Sequence, residues 1–144
     1  MATFNPAGGA PVARSVSAHG LKGTLKVMQS TVTISSAGAL NDLVNFGYVP
    51  AGATVRGVQL AAPAMDSGVS KALTLDVGDP ASATTYLSAT TIAQAGGVVS
   101  SSTGLGTQYT TDTLISGKIH AAATTMVAGG VVCTVLYTLD GLAS

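Results

Sequence analysis

Two aspartates three residues apart are the chain's best candidates for chemistry. They lie in "LTLDVGDPASATTYL" (73–87), where Asp76 and Asp79 flank Val77 and Gly78. Close carboxylates serve either as oxygen ligands for a hard cation such as Ca²⁺ or as a general acid and base. Asp66 and Asp112 are the acids that folding would bring to such a pair. The calcium loop pattern D-x-[DN]-x-[DN]-G is absent. The competing reading makes Asp76 a solvent-facing strand residue and Asp79 a helix cap. It is preferred because neither His nor Glu stands nearby in sequence to work with the pair.

The remaining reactive stock is small. The chain has two histidines, His19 and His120, one cysteine, Cys133, six aspartates and no glutamate. One Cys and two distant His do not make a closed zinc site. No G-x-S-x-G elbow is present, so a serine triad has no local support. Neither G-x-x-x-x-G-K-[ST] nor a strand–G-x-G-x-x-G–helix occurs, so no nucleotide cofactor is expected. Cys133 lies in an apolar run and reads as a small buried hydrophobe. The expectation is a protein that is not an enzyme and takes no cofactor or metal.

Composition points the same way. Only 8% of the 144 residues are charged, against 47% hydrophobic, and the formal net charge is zero. Low charge with high apolar content indicates an ordered domain, not a disordered one. A chain of this length buries about two-thirds of its surface, enough for a core without disulfides. Net charge near zero favours association, so an oligomer or an assembly component is expected. The charge is uneven: Arg14, Lys22 and Lys26 give residues 1–41 a charge of +3, and three bases against six acids give residues 42–144 a charge of −3. Three bases over that length are too sparse for a nucleic-acid arm. Aromatics are 4% and Trp is absent, which argues against base stacking and against a sugar-binding face. No run of 18 apolar residues suggests a membrane-spanning helix. The opening "MATFNPAGGAPVARSV" shows no signal-peptide pattern, so synthesis in a cytosol is expected.

The elements that would position these side chains are mostly strands. Residues 1–23, with Pro6 and Pro11 around Gly8 and Gly9, read as an extended N-terminal arm, and 24–144 as one β domain. Strands are predicted at 24–35, 43–49, 54–65 with a bulge at Gly57, 71–79, 113–125 and 131–141. Asp79–Pro80 suits a helix start and Gly96–Gly97 a stop, so one short helix is expected in the stretch 79–97, in its first half or through to Gln94. The stretch 96–112 reads as a Gly/Ser/Thr loop holding at most a weak hairpin. The last strand is apolar on both faces: Val131, Cys133, Val135, Tyr137 and Leu139 on one, Val132 and Leu136 on the other. Such a strand is central or covered on both sides. Seven or eight strands with Gly/Pro/Asn/Asp turns predict an all-β fold, a jelly-roll-like β-sandwich.

Residues 45–140 carry a further pattern: "VPAGATV" turning into a strand, a strand ending "LDVGD", a nearby "YL", a Gly-rich loop, and a final "AGGVVCTVLYTL". In this order the elements resemble small virion structural proteins of tailed bacteriophages, and among these head decoration (cement) proteins. The resemblance implies a β-rich homotrimer on the capsid surface, made in the host cytoplasm and bound to the phage major capsid protein through an extended arm. On that reading Arg14, Lys22 and Lys26 would pair with capsid acids. The alternatives are a tail or head-fibre protein, or a carbohydrate-binding module.

Overall fold

The computed structural model describes residues 2–10 and 25–139. Nine strands and one helical turn follow in order: β1 Thr3–Phe4, β2 Lys26–Ile34, β3 Leu43–Val49, β4 Ala53–Ala62, β5 Thr74–Asp79, β6 Ser82–Thr90, α1 Ile92–Ala95, β7 Gly97–Ser100, β8 Thr113–Ala121 and β9 Gly129–Leu139. They form two sheets, β1-β3-β8-β5-β6 and β2-β9-β4-β7. β2 pairs with β9, β3 with β8, β4 with β7 and β5 with β6, all antiparallel. Within β2–β9, first meets last and second meets second-last, as when one long hairpin is rolled over itself, and the short β1 adds to the edge at β3. This nested pairing is the jelly-roll topology.

Alternation explains why these segments became strands. In β9 Val131, Cys133, Val135, Tyr137 and Leu139 are buried, and the residues between Gly130 and Leu136 that alternate with them are half-exposed. From the facing sheet Val44, Phe46, Leu75, Val77, Ile115 and Ile119 come down onto them. Full burial of each such side chain contributes roughly 1.5–3 kcal/mol. The bulge expected at Gly57 is present, as a register shift between Val55 and Gly57 opposite β9.

Three local expectations are corrected. Asp79 does not open a helix: Asp79 pairs with Ser82, and Pro80–Ala81 is the turn of a β5–β6 hairpin. The β-branched Thr84, Thr85 and Thr90 decide the matter by favouring a strand over Ser82–Thr90. The helix is confined to Ile92–Ala95 and ends at Gly96, whose φ of +88° is easy for glycine. Residues 97–100, within the expected loop, form strand β7 on the edge of β4. Beyond it the chain also zips to β4: the Tyr109 N–H donates to Ala53 O at 2.9 Å, and the Val55 N–H to Thr107 O at 2.9 Å.

Residues 2–10, the first part of the segment read as an arm, lie on the sandwich. Thr3 and Phe4 run parallel to Leu43 and Val44, and Pro6 bridges to Val32 in the other sheet. The Asp42 carboxylate ties this segment down, accepting the Ala2 and Ala39 N–H groups at 2.9 Å each. Those two bonds favour the charged form and hold its pKa below the usual carboxylate value. Arg14, Lys22 and His19 lie outside the described residues. Lys26 is the first residue of β2, opposite Tyr137.

Candidate functional site

The aspartates proposed from sequence for chemistry are all engaged within the fold. Asp76 is not solvent-facing. It is 2% exposed and accepts the Ala89 N–H at 2.7 Å on one oxygen. Its other oxygen is 3.0 Å from Nδ1 of His120, whose ring is half-exposed. Sequence reasoning missed this partner because 44 residues separate the two; only the β5–β8 register brings them together.

Asp79 caps its own turn. One oxygen accepts the Ala81 and Ser82 N–H groups at 3.0 Å and the Thr85 hydroxyl at 3.1 Å. The other accepts the Tyr109 O–H at 2.6 Å. Tyr109 has a single proton to give, so in its short hydrogen bond with Tyr86 the Tyr86 O–H is the donor. Burial pushes the Asp79 pKa up, but the Tyr109, Ser82, Thr85 and Ala81 donors outweigh it and keep the group ionised. Burial, then the neighbouring carboxylate, raises Tyr109 far above the usual phenol value, and burial likewise raises Tyr86. The three groups form a fixed relay of hydrogen bonds with no proton to exchange near neutrality. Nothing in the loop "GLGTQYTTD" signalled that Tyr109 would plug this end of the sandwich. Tyr109→Phe should leave an Asp79 oxygen without its hydroxyl donor and Tyr86 without its acceptor. The expected cost is about 1–3 kcal/mol in urea unfolding. Tyr48→Phe, on a half-exposed outer position, should change stability by less than about 0.5 kcal/mol.

Asp66 is 1% exposed and sits among five backbone donors. Gly68, Ala72 and Leu73 come from its own loop, and Thr124 and Thr125 from the β8–β9 loop, at 2.8–3.2 Å. Asp112 accepts the Ala51 N–H at 2.9 Å. Each described aspartate thus satisfies backbone groups at a turn or bulge. Asp66, Asp76 and Asp79 have separate partners, and among the described residues no three His, Cys, Asp or Glu side chains gather as a metal set. Cys133 is fully buried, and burial pushes its thiol up to about 12. Among the described residues no helix is long and apolar enough to cross a membrane.

What the fold presents outward is a surface. On the outer face of the β2-β9-β4-β7 sheet the registers align side chains in rows. Thr31, Val132, Ala61 and Val98 form one row. Gln29, Thr134, Gln59 and Ser100 form the next, with the Gln29 amide donating to the Thr134 hydroxyl at 3.0 Å. Val27 and Leu136 follow. Beside them a groove of about 250 Å³ lies between Arg56, Gln59, Leu105 and Leu136. No acid stands in these rows, and Arg56 at the margin directs its Nε–H to the Thr138 hydroxyl. The outer face of the other sheet differs, carrying Asp76, Lys118 and His120 on adjacent strands.

No protein-family profile matches the chain, and no curated protein sequence does. Solved phage capsids do match. A chain of the cyanophage Pam1 capsid asymmetric unit is 33% identical over 89% of this chain and 94% of that one, with a TM-score of 0.78. A chain from the capsid of Ralstonia phage GP4 shares the fold at 21% identity, covering 99% of this chain and 100% of its own, with a TM-score of 0.76. One from the acidic stable capsid of Helicobacter pylori bacteriophage KHP30 shares it at 16% identity, over 85% and 94%, with a TM-score of 0.61. With sequence and double-sheet fold shared over nearly its whole length, the chain belongs to the family of the Pam1 capsid chain and is a structural protein of a bacteriophage virion.

Proposed function

We propose that this chain is a decoration (cement) protein without enzymatic activity. It binds the outer surface of a phage head as an oligomer, a homotrimer, and holds neighbouring capsid subunits together. The observation that carries this reading is the engagement of every described aspartate with the fold's own backbone N–H groups. The carboxylates, which would do the work in a catalyst, here rigidify turns. A rigid, weakly charged body suits repeated contact on a shell. Such a protein stabilises the head by linkage, since it binds the assembled form and not free subunits.

In this reading the major capsid protein is the partner, and Arg14, Lys22 and Lys26 meet its acids through the N-terminal segment. Residues 2–10 are part of the sandwich, so the test should spare them. A variant with residues 11–23 replaced by a short Gly/Ser linker should melt like the wild type but fail to coat heads stripped of this protein. Full binding by that variant refutes the arm's role. Failure of the wild type to bind heads, or labelling of tails instead, refutes the decoration reading.

A further inference from the structure

We propose that the outer face of the β2-β9-β4-β7 sheet is the surface through which one copy of this chain packs against another. The inference rests on the oligomer reading above and assigns it to one side of the molecule. β9 is one of the two inner strands of its sheet and is apolar on both sides, yet Val132 and Leu136 remain half-exposed. No described element covers them. Val27 and Val98, on the two edge strands of the same face, are 57% and 59% exposed. An apolar sheet face of this kind calls for a cover.

Charge argues that the cover is a second copy. The rows present apolar groups together with Gln, Ser and Thr, whose polar atoms either donate or accept. Such a surface can meet another like itself without opposing equal charges. A partner recruited by charge would select the opposite sheet, where Lys118 and His120 reach solvent. Size is consistent: four strands about 4.8 Å apart, over roughly 20 Å of strand, give roughly 400 Å² of flat face and more as accessible surface. That is the centre of an interface needing about 800 Å² per partner. The groove beside Leu105 and Leu136 extends it on one flank.

The experiment is a mass measurement by light scattering and sedimentation across a concentration series. Gln59→Lys on inner strand β4 and Thr31→Lys on edge strand β2 each place a charge on the face, at positions already exposed. Both should stay folded by circular dichroism and shift from oligomer to monomer, with dissociation constants raised on the order of 100-fold or more. Ser88→Lys, exposed on β6 of the other sheet, should keep the wild-type mass. If a lysine variant does not fold, Val98→Asp on edge strand β7 carries the same expectation. Folded face variants that keep the oligomeric mass overturn the inference, as does dissociation caused by Ser88→Lys alone. Face variants that stay oligomeric but no longer coat heads assign the face to the capsid, which overturns this inference and leaves the decoration reading standing. A wild type that is monomeric at every concentration, and still coats heads, removes the oligomer reading and this inference together.

Discussion

Gly78→Ala should yield little folded protein, and what folds should be destabilised by more than about 4 kcal/mol. Gly78 lies opposite an irregular stretch of β6. Between the pairs Val77–Leu87 and Asp79–Ser82, β5 contributes one residue and β6 contributes four. The surplus, Ala83–Tyr86, folds back over Gly78, so a Cβ there would strike the Ser82 and Ala83 carbonyl groups. These are backbone atoms and cannot turn aside as a long side chain would. The bulge breaks the inward–outward alternation, so that Tyr86 and Leu87 are buried in succession. Tyr86 is thereby seated against Tyr109, and Tyr109 against Asp79. One added methyl group should disturb the hairpin, the bulge and the buried tyrosines together. Urea unfolding and near-ultraviolet circular dichroism would measure this. A variant that melts within a few degrees of the wild type with an unchanged tyrosine signal would show that the close approach is not needed.

Asp66→Ala should lower the melting temperature by on the order of 10 °C or more. The substitution leaves five backbone N–H groups in two loops without their acceptor. Asp66→Asn should lose nearly as much, because an amide offers one acceptor oxygen and turns its own N–H groups toward the donors. The effect should depend on pH with a defined sign. Burial pushes the Asp66 carboxyl up, but the Ala72, Thr125, Gly68 and Thr124 N–H groups outweigh it and hold the folded pKa well below the usual value. In the unfolded chain the group titrates near about 3.9. Its contribution is therefore fully present above that value and is lost as pH falls through the lower folded one. Asp79 and Asp42, with pKa values also lowered, act in the same direction. The gap in melting temperature between wild type and Asp66→Ala should be widest near neutrality and narrow below about pH 4. A gap that stays constant down to pH 2 would show that the carboxylate's charge plays no part.

The first of these predictions turns on "LDVGD", residues 75–79. Read alone, it is a strand with two spare acids. In the fold it is a template for the irregular β6. Asp76 accepts the N–H of Ala89, a non-glycine residue at φ +50°, at one bulge. Asp79 binds the turn and Thr85 at the other end, and Gly78 leaves room between them.

Sequence alone determined the regular part of this protein. Alternation placed β2, β3, β4, β5, β8 and β9 within a few residues, because a half-buried strand must alternate with period two. Glycine at 57 marked a bulge and glycine at 96 a helix end, because those backbone conformations are local. The double-sheet class followed from strand count and turn chemistry, and the order of "VPAGATV", "LDVGD" and "AGGVVCTVLYTL" carried the resemblance to phage virion proteins. Tertiary structure alone decided the rest. β6 and β7 were not legible, since a strand crossed by bulges has no clean period and four residues are too few to show one. The partners of the aspartates were decided by register: His120 reaches Asp76 across 44 residues, Tyr109 reaches Asp79 across 30, and Thr124 reaches Asp66 across 58. Only cross-strand pairing could show that Thr31, Val132, Ala61 and Val98 form one uncharged row, because a surface shared by four strands is a property of their alignment and not of any one of them.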